Sequence, residues 1–194
     1  IVLQDRKNPT LLRGFPIADW KKLIVKGVTA FIGSLCLILP LMVGYVIIGI
    51  QFGFGSLDFP VPIRSGTQFE TITMSNYLAK TGILILCWFM VIISFVILLS
   101  VTVRNEIANL IAGLIVIFAE FIYLDRGLGY IKPVENYLPT YSQVSQVVTN
   151  MKNHFYTTIK IEYSKGLVLL ISCAVILLAL ALVTSLNKRY RFIK

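Results

Sequence analysis

Apolar residues run without a charge from Gly27 to Leu57, from Thr81 to Val103 and from Gly166 to Asn187, and a shorter run covers Ile107–Ala119. About 20 apolar residues in a helix cross the ~30 Å hydrocarbon core of a bilayer. The pattern therefore predicts spans at residues 27–50, 81–103, 107–124 and 166–187. Taken as one helix, residues 81–124 would be about 66 Å long, twice the bilayer core. Arg104, Asn105 and Glu106 thus mark a turn, with Asn105 placed to cap the third span. The fold class that follows is all-α: a polytopic transmembrane helix bundle of four spans forming a single transmembrane domain. Pro40 is expected to kink the first span. Gly33 and Gly44 are sites for close helix approach, as is the Ala108/Ala112 pair. Ser94, Ser100 and Thr102 are expected to hydrogen-bond between helices.

The segments between these runs have their own patterns. Leu11–Lys26 (LLRGFPIADWKKLIVK) is basic and amphipathic. Pro16 suits the first turn of a helix, where its missing N–H is no loss. From there Trp20, Leu23, Ile24 and Gly27 share one face, while Lys21, Lys22 and Lys26 lie off it, toward lipid phosphates or another protein. Residues 51–79, rich in Gly, Pro and aromatics, read as a loop. Residues 125–165 form an outer segment with a short amphipathic helix, because Val144, Val147, Val148 and Met151 recur at helical spacing. Tyr130, Tyr137, Tyr141, Tyr156 and Tyr163 suit an interfacial aromatic belt.

Composition sharpens this picture. Hydrophobic residues make up 57% of the chain, charged residues 14%, and the mean hydropathy is +0.82, which excludes a water-soluble globular domain. The formal charge of +9 sits in clusters beside the apolar runs, so it reports membrane orientation rather than nucleic-acid binding. Six Lys/Arg precede the first span, and Lys188, Arg189, Arg191 and Lys194 follow the last. Positive residues favour the cytoplasmic side, so both ends of this multi-pass chain are expected in the cytoplasm. That placement requires an even number of spans. Cys36, Cys87 and Cys173 fall in three different apolar runs, without metal-ligand spacing, and read as small core residues.

Little in the sequence can do chemistry. No G-x-x-x-x-G-K-[ST] phosphate loop occurs, and the nearest runs, GFGSLD and GLGYIK, fall in outward segments. No cofactor, metal or catalytic constellation is expected on this chain, and His154 alone makes no metal site. Glu120 is the one carboxylate inside an apolar run, a candidate for substrate or proton contact. It also lies close enough in sequence to Arg126 to pair with it.

In this order the elements resemble the membrane subunits of type-2 ABC exporters, which export drugs, antimicrobial peptides and polysaccharides. PTLLRGFPIADWKKLIVKG is similar to the family's cytoplasmic coupling segment between spans two and three. Ala18 and Asp19 stand where that segment usually has Ser/Thr and Arg. LLSVTVRNEIANLIAGL resembles the tight turn between spans four and five. YLPTYS resembles the outer stretch before the last span, where the family folds short helices, and NKRYRFIK its basic tail. The likeness covers nearly the whole chain. It implies that this sequence holds the last four of six spans. Two further spans, about 50–60 residues at ~20 per span, are then expected upstream of Ile1.

The resemblance also implies a role and partners. A separate ABC-type ATPase, carrying ATP and magnesium, would dock on Leu11, Leu12, Arg13, Phe15, Pro16, Trp20 and Lys21. A second permease subunit, identical or related, would flank a central pathway within the lipids of a bacterial cell membrane. The apolar spans and the aromatic outer segment favour amphipathic substrates such as toxin or antimicrobial peptides, with Glu120, Tyr137 and Tyr141 as pathway candidates. Two other classes remain open. One is a non-transporting immunity, sensor or assembly protein that binds a partner through its outer loop. The other is an ion-coupled carrier that uses Glu120.

Overall fold

The computed structural model describes residues 18–65, 68–103, 105–125, 136–154 and 161–186. It is mostly helical. Helix α1 runs Asp19–Phe52 and α2 Met74–Thr102; α3 follows at Glu106–Asp125, and α5 at Tyr163–Leu186. Among the described residues, α1, α2 and α5 are each long and apolar enough to cross a membrane. In α3 the apolar stretch is the shorter Glu106–Ala119. The stretch predicted as the third span is helical, but it is not among the three helices long and apolar enough to cross. At its start Ile107 N–H donates to Asn105 Oδ1 at 3.0 Å. That side chain satisfies one of the donors a helix start leaves without an internal partner.

Three sequence expectations need correction. First, α1 begins before the apolar run at Gly27. Backbone N–H groups of Lys21 and Lys22 already bond to Ala18 O, and α1 continues through Lys26 and Pro40 to Phe52. Lysines end an apolar run but do not end a helix, since their intrinsic helix propensity is high. Second, residues 51–79 are not all loop. Strands β1 (Pro60–Ser65) and β2 (Gln68–Thr73) pair antiparallel, with Val61 opposite Ile72 and Arg64 opposite Phe69. Third, Ser100 and Thr102 do not bond across helices. Their hydroxyls donate to Val96 O and Leu98 O of their own helix, at 2.7 and 3.0 Å.

The chain divides into two units. The first is built from the described parts of Ile1–Leu35, Phe89–Phe118 and Ile171–Lys194. Its core is Leu23 of α1, Ile97 and Val101 of α2, and Ala181 of α5, with Ile93, Leu98 and Leu182 packed around them. The start of α1 and the ends of α2 and α5 therefore meet. A Cβ on Gly27 would lie 3.1 Å from Ile97 Cδ1, so α1 and α2 are in close contact at this glycine. Gly33, chosen from sequence for such a contact, has open space beside it.

The second unit is built from the described parts of Cys36–Trp88 and Ala119–Leu170. After α3 come a 3-10 turn at Leu138–Tyr141, the short helix α4 (Val144–Val148) and a second 3-10 turn at Met151–His154. This is the short amphipathic helix expected from the valine spacing, and Val147 and Val148 are its buried face. It ends because Asn150 takes a left-handed conformation, φ 57°, one residue past the Thr149 C-cap. Asn tolerates that region better than other non-glycine residues. Gly44, like Gly33, has no neighbour that a Cβ would meet, and Cys36 is exposed.

Candidate functional site

Two places concentrate the polar and shaped features, one in each unit. In the second unit the outer turns are held by side chains that bond to distant backbone. Trp88 Nε1 donates to Tyr141 O at 2.7 Å. The Tyr141 ring is fully buried and lies over the backbone of Gly166, where a Cβ would come within 2.5 Å of the ring. Asn153 makes a reciprocal pair, donating from Nδ2 to Ile161 O at 2.9 Å and accepting the Ile161 N–H at 2.7 Å. Its amide thus replaces a β-ladder partner for a backbone that has none in register.

The hairpin joins this arrangement through one residue. Arg64 N–H donates to Thr149 O at 3.0 Å, and Arg64 O accepts from Asn150 Nδ2 at 3.2 Å. Both backbone groups of Arg64 thus point away from β2. By the two-residue period of a strand, Pro60 and Pro62 point the same way, where a missing N–H breaks no ladder bond. The left-handed Asn150 is what aims its amide at the hairpin. Between Asn150 and Asn153 lies Lys152, 2% exposed, whose ammonium is pushed down to a pKa of about 7 by its burial.

In the first unit the feature is an apolar pocket of about 200 Å³ between α1, α2 and α5. Ile24, Val28 and Phe31 of α1 line one wall, Met90 and Ile93 of α2 another, and Leu178 of α5 a third. Ser94 contributes the single side-chain hydroxyl. One turn before Ile24 on the same face stands Trp20, with Lys21 Nζ held 5.5 Å from its ring centroid.

Comparison with known proteins supplies no relative: no family model, curated protein or solved structure matches the chain.

The residues singled out from sequence are distributed as follows. Leu11, Leu12, Arg13, Phe15 and Pro16 lie outside the described residues. Trp20 and Lys21 are exposed on the first turn of α1. Of the lysines expected off the apolar face, Lys22 is buried and Lys26 half-buried, because the Leu23 core draws that side of α1 inward. Glu120 belongs to α3. Tyr137 precedes the 3-10 turn and is exposed, whereas Tyr141 is packed inside it. Tyr163 is half-buried beneath Lys80, whose Nζ is 5.7 Å from the ring centroid. Tyr130 and Tyr156 lie outside the described residues.

Sequence reasoning missed Trp88, Gly166, Asn150 and Asn153. A Trp in an apolar run needs a partner for its indole N–H in a dry interior, so Trp88 carried a signal. The two asparagines flank a break in a valine pattern, where side-chain amides compete with helix.

Proposed function

We propose that this chain is a membrane permease subunit of an ATP-driven exporter, working with a separate ABC-type ATPase. The observation that supports the reading is the order of elements. A basic helix start leads into a long apolar helix, and a tight capped turn at Asn105 joins two apolar helices. Short helical turns after Tyr137 then precede a last apolar helix ending before a basic tail. These are the stretches on which the resemblance to type-2 ABC exporters rests. The paired helix ends at the Leu23–Val101–Ala181 core favour one side of the membrane for the start of α1 and the end of α5. The density of Lys and Arg in the flanking sequence favours the cytoplasm for that side.

In this reading the ATPase grips the segment from Leu11 to Lys21, with Leu11, Leu12, Phe15 and Trp20 as an apolar plug. Arg13 and Lys21 face carboxylates of the motor. Closure of the motor dimer biases the spans because the segment contacts the motor differently in its two states. A second permease subunit completes the pathway, and the cargo is an amphipathic molecule such as a toxin or antimicrobial peptide. The test is purification of the full chain from bacterial membranes and assay of nucleotide hydrolysis in what co-purifies. An ATPase is expected, and its substrate-stimulated rate is expected to fall about tenfold or more in Phe15→Ala, a loss of about 1.4 kcal/mol of coupling. No co-purifying ATPase, or a rate indifferent to Phe15→Ala and Trp20→Ala, overturns the reading.

One observation favours a second reading, a non-transporting immunity, sensor or assembly protein. The hairpin and the turns around Asn150 form a hydrogen-bonded outer surface that could receive a partner. Partner capture that persists without any ATPase, and is lost when the hairpin is deleted, distinguishes it.

A further inference from the structure

The pocket of the first unit is a feature that the exporter reading does not use. Its lining is apolar except for Ser94, and its volume of about 200 Å³ is below that of typical drug-sized ligand sites. It has room for a stretch of hydrocarbon chain. The stripe Ile24, Val28 and Phe31 continues by helical spacing to Trp20, one turn beyond the pocket on the first turn of α1. There Lys21 is exposed and stands over the Trp20 ring. Indole and ammonium side by side suit the level of lipid phosphates, where aromatic rings and lysines anchor helices.

Charge concentrates at the same end. The start of α1 and the ends of α2 and α5 meet at Leu23, Val101 and Ala181. Among the described residues, Lys21, Lys22 and Lys26 lie on the first of these ends. Asp19 starts the same helix, so three lysines outnumber one carboxylate on the first two turns of α1. Clusters of basic residues at the end of membrane helices select anionic headgroups.

We propose that the pocket between α1, α2 and α5, together with Trp20 and Lys21, binds one anionic glycerophospholipid. An acyl chain enters the pocket past Ile24 and Val28, and the phosphate rests on Lys21. The exporter reading gives Trp20 and Lys21 to the motor, so lipid binding is measured on the chain freed of any ATPase, where failure of one reading leaves the other standing. Occupation by a second copy of the chain, or by any neutral lipid, is the competing outcome.

The test uses the full chain purified in detergent and equilibrated with equal amounts of phosphatidylglycerol and phosphatidylcholine of matched acyl chains. Lipid retained after washing is counted by native mass spectrometry. Phosphatidylglycerol is expected to exceed phosphatidylcholine about fivefold, as one added basic contact to an anionic lipid gives. Lys21→Gln is expected to bring the ratio near one, and Lys21→Arg to preserve it. Val28→Trp, which fills the pocket, is expected to reduce retention of both lipids with helix content by circular dichroism unchanged. Equal retention of the two lipids by the wild-type chain overturns the proposal. So does enrichment unaffected by Lys21→Gln, or dimers that carry no lipid.

Discussion

Each of the two units has its own kind of internal contact. Around Leu23, Val101 and Ala181 the helices meet through apolar contact, and their hydroxyls bond within their own helices, as Ser100 and Thr184 do. In the other unit, side chains reach across the sequence to backbone: Trp88 to Tyr141, Asn150 to Arg64, Asn153 to Ile161. The contrast follows from what each backbone needs. A helix satisfies its own N–H and C=O groups, so helix packing can be left to shape. Turns and a two-stranded hairpin cannot, and a buried amide without a partner is costly. Side-chain hydrogen bonds are therefore found where regular structure stops.

Thermal unfolding of variants in a fixed detergent measures this difference directly. The largest loss is expected for Tyr141→Ala, about 3–5 kcal/mol, since it removes a fully buried aromatic ring and leaves a cavity. If that variant unfolds like wild type, the hydrogen-bonded unit is not organised around Tyr141. The next effect depends on pH. Lys152 is held near a pKa of about 7 when folded but near 10.5 when unfolded, so the unfolded chain binds the extra proton between those values. Stability is expected to rise from pH 7 to about 10.5 and to level off above it. Lys152→Met removes that slope; a slope that persists assigns it to another group.

Smaller changes sharpen the contrast. Gly166→Ala places a methyl within 2.5 Å of the Tyr141 ring and is expected to cost about 1–3 kcal/mol by overpacking. Leu23→Ala in the apolar unit is expected to cost less than the ~2–5 kcal/mol of an aqueous core, about 1–2 kcal/mol. Lipid is as apolar as leucine, so only the packing part of the loss remains. A Leu23→Ala penalty larger than that of Tyr141→Ala would invert the comparison.

The same division explains what the sequence made legible. The apolar runs around Cys87 and Cys173 announce α2 and α5 because hydropathy over ~20 residues is a strong signal. The turn at Arg104–Glu106 is legible for the same reason: a helix twice the bilayer thickness cannot be right. Boundaries were harder. Asp19, Lys21 and Lys22 are polar but helical, so α1 begins well before its apolar run. The hairpin was hidden because Pro60 and Pro62 argue against a strand, and only the outward position of Arg64 shows why they are tolerated. Gly27 and Gly166, rather than Gly33 and Gly44, mark close approach. Which face of a helix meets a neighbour is a tertiary fact that a lone glycine does not encode. For Trp20 and Lys21 the sequence supplied the chemistry, and the structure added the pocket one turn away.

The exposure of α1 bears on the order in which the molecule is assembled. None of the most apolar window of α1 is buried inside the chain, against a third of the corresponding window of α2. Its helical state is fixed by the bilayer's refusal of unpaired backbone groups, and so is complete on insertion. Helix α2 has further contacts to acquire afterwards. Assembly then proceeds as independent insertion followed by lateral docking, and α1 is the element with the least to gain from the second stage. Mutations along its exposed middle should change how the protein meets its surroundings while leaving the rest of the chain folded as before.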